Sequence, residues 1–176
     1  MATPLDLLEG LKERINEILG NFPAEFLGHS QKKFNIYRHK VPERLNNRVK
    51  VKGKEETQGD VFPFCVVQLD SGSKKGNVSN HEIHINIFIG VENEGLEGEG
   101  YDDVMLCLTR IWNELNREPI VAKFFRIKDE LDWALNSDDA ETHPHYYGLL
   151  RLAFETQSIQ YVGGYESGER TNQKRS

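Results

Sequence analysis

Cysteine is scarce: the 176 residues hold two, Cys65 and Cys107. Two thiols supply neither the bridge framework of a small secreted scaffold nor a four-thiolate zinc site. Each lies in an apolar run, Pro63-Phe64-Cys65-Val66-Val67 and Met105-Leu106-Cys107-Leu108, where a thiol acts as a small core hydrophobe. No stretch approaches the ~20 apolar residues that a membrane-crossing helix needs. The opening Met1-Ala2-Thr3-Pro4-Leu5-Asp6 has neither the basic n-region nor the apolar core of a secretory signal, so the sequence predicts a soluble cytosolic protein with no membrane partner. Positive charge is also short, with 22 basic against 28 acidic residues and a net charge of −6. Affinity for duplex DNA comes mainly from neutralised phosphates, which argues against a DNA-wrapping role.

The common catalytic signatures are missing as well. There is no Gly-x-x-x-x-Gly-Lys phosphate loop, Gly-x-Ser-x-Gly elbow, His-Glu-x-x-His or Cys-x-x-Cys. Gly72-Ser73-Lys74-Lys75-Gly76 has the composition of a phosphate cradle without its spacing. The acidic pairs Asp102-Asp103, Asp129-Glu130 and Asp138-Asp139 fall at a helix start or in polar loops, and adjacency alone does not set carboxyl pKa values apart. The tightest histidine pair is His143 with His145, and His81 and His84 stand more than fifty residues away. These four are the only basis for a metal-dependent enzyme, and a structural or surface role suits them better. The sequence therefore predicts no catalytic residue, cofactor or metal, and not an enzyme.

Periodicity is abundant. Leu8, Leu11, Ile15 and Ile18 recur at helical spacing, with Leu7 and Leu19 beside them and Glu9, Lys12, Glu13 and Glu17 opposite. Thr3 is placed to cap, Pro4 suits the first turn and Gly20 the stop, so a helix is predicted over residues 3–20. Tyr101, Val104, Met105, Leu108, Ile111, Trp112 and Leu115 predict a second over 101–116, its first turn acidic and Pro119 beyond its end. Ile83, Ile85, Ile87 and Ile89 alternate with His84, Asn86, Phe88 and Gly90, the pattern of a half-buried strand. Residues 61–69 predict a buried partner strand, joined to it by a glycine-rich polar turn over 70–80. Shorter strands are predicted near Phe34 and Ile36, over 124–127, over 131–135 with Trp133 in the core, and over 146–156. Strand runs with segregated helices predict an α+β fold: a single, mainly antiparallel β-sheet with two amphipathic helices packed on one face. One domain should cover 1–160, with a polar, mobile insertion at 40–60, and 161–176 should be a disordered tail.

The strongest charge feature is a basic stretch that runs from Arg38 into that insertion: Arg38, Lys40, Arg44, Arg48, Lys50, Lys52 and Lys54, with Val49 and Val51 between. A solvated loop accounts for it as well as docking on an acidic neighbour or touching nucleic acid does.

Several blocks in order carry a resemblance. They are Phe62-Pro63-Phe64-Cys65-Val66-Val67, the strand at 83–90, Gly100-Tyr101-Asp102-Asp103-Val104 leading a Trp-containing helix, residues 119–127 followed by Leu131-Asp132-Trp133, and Tyr146-Tyr147-Gly148. Over about residues 60–159 the chain resembles tail terminator and tail-completion proteins of siphophages, myophages and prophages of Gram-positive bacteria. The resemblance implies a non-catalytic virion protein. Such a subunit forms a ring, hexameric in expectation, at the head-proximal end of the tail tube, ends tube polymerisation and presents a surface to the head connector. A neck protein for head-tail joining or head closure is the alternative. Implied partners are further copies of itself, the tail tube protein and the connector or head-closure protein, with DNA only passing through the lumen. The implied location is the virion tail or neck, after assembly in the host cytoplasm. Arg44, Arg48, Lys50, Lys52, Tyr101, Tyr146 and Tyr147 are the candidate interface residues. Glu92, Glu94, Glu97, Glu99, Asp138 and Asp139 are candidates to line the lumen.

Overall fold

A computed structural model describes residues 2–20, 33–42, 61–74, 80–136 and 143–156 of the protein. They form α1 (Pro4–Gly20), β1 (Asn35–Arg38), β2 (Phe64–Lys74), β3 (His81–Glu92), α2 (Glu99–Arg117), β4 (Ile120–Val121), β5 (Phe125–Leu135) and β6 (His145–Thr156). The strands make one six-stranded sheet in the order β1-β2-β3-β6-β5-β4. All pairings are antiparallel except that of β1 with β2. The fold is the predicted α+β class, its single sheet mainly antiparallel with one parallel pair at the β1 edge.

β3 is central because it is the most apolar strand. Ile83, Ile85, Ile87, Ile89 and Val91 are all buried on one face. Across the ladders, Cys65 and Val67 of β2 and Leu150, Leu152 and Phe154 of β6 join them. Each fully buried side chain of this size contributes about 1.5–3 kcal/mol over an exposed one. Both helices pack on this face. α1 buries Leu7, Leu8, Leu11, Ile15, Ile18 and Leu19, and α2 buries Val104, Cys107, Leu108, Ile111 and Leu115. α1 touches β1 and also β4, so the sheet curls until both edges approach one helix. The predicted cap is present. Thr3 Oγ1 accepts from the Asp6 amide at 3.4 Å, and the Asp6 carboxylate accepts from the Thr3 amide at 2.7 Å.

Both cysteines are buried in this core. Burial pushes the Cys107 thiol up to about 12, aided by nearby Asp103, and raises Cys65 as well. A thiol-specific reagent should leave both unmodified in the folded protein and label both after denaturation. Rapid labelling of either one in native buffer would mean that the core opens locally.

Three expectations are corrected. β2 continues to Lys74, into residues read as a turn, because Ser71 to Lys74 pair with His84 to His81 through backbone bonds that polar side chains do not advertise. The two strands read at 124–127 and 131–135 are one. Between Ile127 and Leu131, β5 takes four steps while β6 takes two, from Phe154 to Leu152. The intervening Lys128, Asp129 and Glu130 form a polar bulge that breaks the period without ending the strand. Trp133, read as core, is 55% exposed. It pairs with Leu150 and so shares the helix-side face, but β5 lies near the rim of the sheet, past the area that the helices cover. Residues 43–60 and 157–176, with most of the predicted insertion and the whole predicted tail, lie outside the described residues.

Candidate functional site

The face of the sheet opposite the helices divides into two halves. Near the start of β2 it is aromatic: Phe64 and Val66 of β2, Phe88 of β3, and Tyr147 and Leu149 of β6 lie side by side through the register Phe64↔Gly90↔Tyr147 and Val66↔Phe88↔Leu149. Phe62 completes the cluster, stacked on His145 at 4.5 Å and tilted against Phe64 at 5.3 Å. Phe64 and Tyr147 stand 6.4 Å apart, a spacing at which aromatic rings attract. Phe88 is 37% exposed, and beside it Phe64, Val66, Tyr147 and Lys40 outline a shallow hollow of about 330 Å³. Among the described residues, no helix covers these rings.

The other half is polar. Gln68, Asn86, Arg151 and Asp132 follow one another across the strands, with His84 and Asp70 beside them. Asn86 Nδ2 donates to Asp70 at 3.3 Å. At the β5 bulge, Lys128 Nζ bridges Glu82 at 3.0 Å and Glu130 at 3.2 Å. The hydrogen bond from Lys128 lowers the Glu82 carboxyl and, with a smaller part from Glu130, raises the lysine. The pair is still partly open to solvent, so it serves as orientation more than stability.

β5 also leaves an open edge. β4 pairs with Phe125 and Arg126, and the Ile127 amide donates to the Pro119 carbonyl at 2.9 Å, so from Lys128 onward the outer side of β5 has no strand partner among the described residues. Leu131 and Trp133, 36% and 55% exposed, stand along this stretch. An apolar edge of this kind invites pairing with another chain.

The acidic candidates lie where β3 ends and α2 begins. Glu92 is half-buried, and Glu94, Glu97 and Glu99 are exposed. Asp138 and Asp139 lie outside the described residues. Among the interface candidates, Arg44, Arg48, Lys50 and Lys52 also lie outside the described residues. Tyr147 belongs to the aromatic half-face. Tyr146 is corrected: at 7% exposure it is core, because its position on β6 turns it toward α2. Its ring meets Tyr101 edge-on at 4.8 Å and lies against Gly100. Val104 in turn sits over Gly148. The block Gly100-Tyr101-Asp102-Asp103-Val104 is thus the packing seam of α2 on β6.

Asp103 belongs to the same seam and was missed as a site of consequence. It is buried, accepts from Asn93 Nδ2 at 2.8 Å, and burial raises its pKa. Asn93 also ties the turn together, its Oδ1 accepting from the Gly95 amide at 2.8 Å and its amide donating to the Pro144 carbonyl at 2.9 Å. A carboxyl whose folded pKa lies above its unfolded one holds more protons folded. Its contribution therefore falls as pH rises from the unfolded value through the folded one. Asp103→Asn retains an oxygen for Asn93 and removes the charge. It should leave stability at neutral pH unchanged or higher by up to about 1 kcal/mol and flatten this part of the pH profile. Asn93→Ala should cost about 1–3 kcal/mol, because the buried carboxylate loses its donor. Urea denaturation at pH 5 and pH 8 checks both, and a destabilised Asp103→Asn at pH 8 would contradict the first.

The four histidines do not converge. His81 and His84 lie at the start of β3, and His145 pairs with Glu92 at its end, roughly 27 Å along the strand from His84 and further from His81. Among the described residues, no three of His, Cys, Asp and Glu gather as metal ligands would. The outer-face aromatics had one legible signal. Phe64, Val66 and Phe88 occupy the alternate positions of their strands, where a solvated face would carry polar side chains.

No known protein family and no curated protein matches the chain.

Proposed function

We propose that the protein is a non-catalytic structural subunit of a tailed phage, forming a ring at the head-proximal end of the tail tube. There it would end tube polymerisation and offer a joining surface to the head connector. The observation that carries this reading is the pairing of an uncovered aromatic half-face with an open β5 edge bearing Leu131 and Trp133. A ring subunit needs two different surfaces that mate with those of its neighbours, and aromatic residues are enriched at the centres of such interfaces. The order of sequence blocks supplies the phage-tail class. In this reading Glu92, Glu94, Glu97 and Glu99 face the lumen, where negative charge keeps the passing genome from adhering.

The test is electron microscopy of the purified protein mixed with tail tubes of its own phage, beside its mass in solution. Rings capping one end of tubes of fixed length support the proposal. Binding to heads or connectors but never to tubes replaces it with a neck protein, and binding to neither overturns it.

A further inference from the structure

The surface opposite the aromatic half-face carries a second feature. α1 and the turn between β4 and β5 enclose a groove of about 500 Å³. Its floor is apolar, with Val121 buried and Ile120 and Phe124 exposed at 54% and 44%. Its rail is acidic, formed by Glu9, Glu13 and Glu17 on successive turns of α1. Arg14, on the same rim, is engaged by Glu118. This side of α1 already takes a cation, since Arg38 Nη1 meets Glu9 Oε2 at 2.7 Å.

The chain itself contains a segment of the matching chemistry. Arg48-Val49-Lys50-Val51-Lys52 alternates cations with valines, and an extended chain of that pattern has an apolar face and a basic one. Five extended residues span roughly 17 Å, which fits along the ~25 Å of a helix as long as α1.

We propose that the groove of one copy seats residues 48–52 of a second copy. The valines lie on Ile120 and Phe124, and the long basic side chains reach over to the α1 carboxylates. The proposal rests on the reading that the chain assembles with itself, and it adds a further pair of joining surfaces to the aromatic half-face and the β5 edge. A closing ring links unlike patches, and an acidic groove with a basic segment is such a pair.

The experiment has two arms. A labelled peptide of residues 44–54 is titrated into the full chain carrying Arg48→Glu, Lys50→Glu and Lys52→Glu, followed by fluorescence anisotropy. Saturable binding is expected. It should weaken about tenfold or more when Glu9→Lys and Glu13→Lys are added. The exposed-site variant Phe124→Asp should weaken it without touching the helix, and Leu106→Lys, at an exposed position of α2 outside the groove, should not. Absent binding, or binding indifferent to the groove variants, overturns the proposal. In the second arm, the segment-reversed chain is mixed with the groove-reversed chain in a sedimentation experiment. Each alone juxtaposes like charges and should stay monomeric, and the mixture should associate. A monomeric mixture alongside peptide binding overturns the second-copy assignment and leaves the groove to the chain's own segment. Neither arm involves a tail tube, so failure of tube capping and failure of this seat are separately visible.

Discussion

Gly100→Ala should destabilise the protein by about 3 kcal/mol, a melting point lower by roughly 6–12 °C for a domain of this size. A methyl group at this position would enter the ring of Tyr146, which is held by core on its other side and stands edge-on to Tyr101. Gly100 opens α2, so the helix cannot move away from the ring without also lifting Val104 off Gly148 and breaking the Asp103–Asn93 bond. Overpacking a seam with so few routes of relaxation is costly. Smaller partners should relieve it. Gly100→Ala combined with Tyr146→Leu should be less destabilised than the sum of the single variants, measured as a double-mutant cycle in urea. If Gly100→Ala melts within about 2 °C of the parent protein, the seam is looser than this geometry requires.

Trp133→Lys together with Leu131→Lys should leave the fold almost untouched and abolish tube-end capping. Trp133 is more than half exposed and Leu131 about a third, so the change in stability should stay within about 2 kcal/mol. Placing lysines on an open strand edge is the device by which natural sheets refuse to pair with other chains. A ring built through this edge would lose its strand-to-strand contact at every interface, an effect multiplied by closure. Thermal melting and electron microscopy of tube mixtures read the two effects separately. Normal capping by the doubly substituted chain would remove the β5 edge from the interface and leave the aromatic half-face around Phe62, Phe64 and Tyr147 to carry it.

Much of this architecture was legible in advance, and the reasons are local. α1 and α2 were readable because each keeps an unbroken stripe at helical spacing, and β3 because four isoleucines alternate without interruption. The capping residue Thr3 was readable because it stands directly before Pro4 at the head of the apolar stripe. β5 was not, because the polar run at its bulge imitates a loop, and the extension of β2 was not, because backbone pairing carries no side-chain signature. The aromatic half-face was half-legible: its residues stood at the right alternation, yet only the register shows that Phe62, Phe64, Phe88 and Tyr147 form one cluster.

The sequence by itself determined the two helices, the central strand, the burial of Cys65 and Cys107, and the α+β class. The helices and the strand follow from periodicity along a single segment, the cysteines from their apolar neighbours, and the class from the order of those elements. The tertiary structure alone decided the roles of individual aromatic and acidic residues. Tyr146 became core and Trp133 surface because exposure depends on which strand lies at the rim and where a helix comes to rest. Asp103 became a buried carboxyl because Asn93, ten residues away, folds back to meet it. Those outcomes depend on contacts between distant segments, and the spacing of residues along one segment does not encode them.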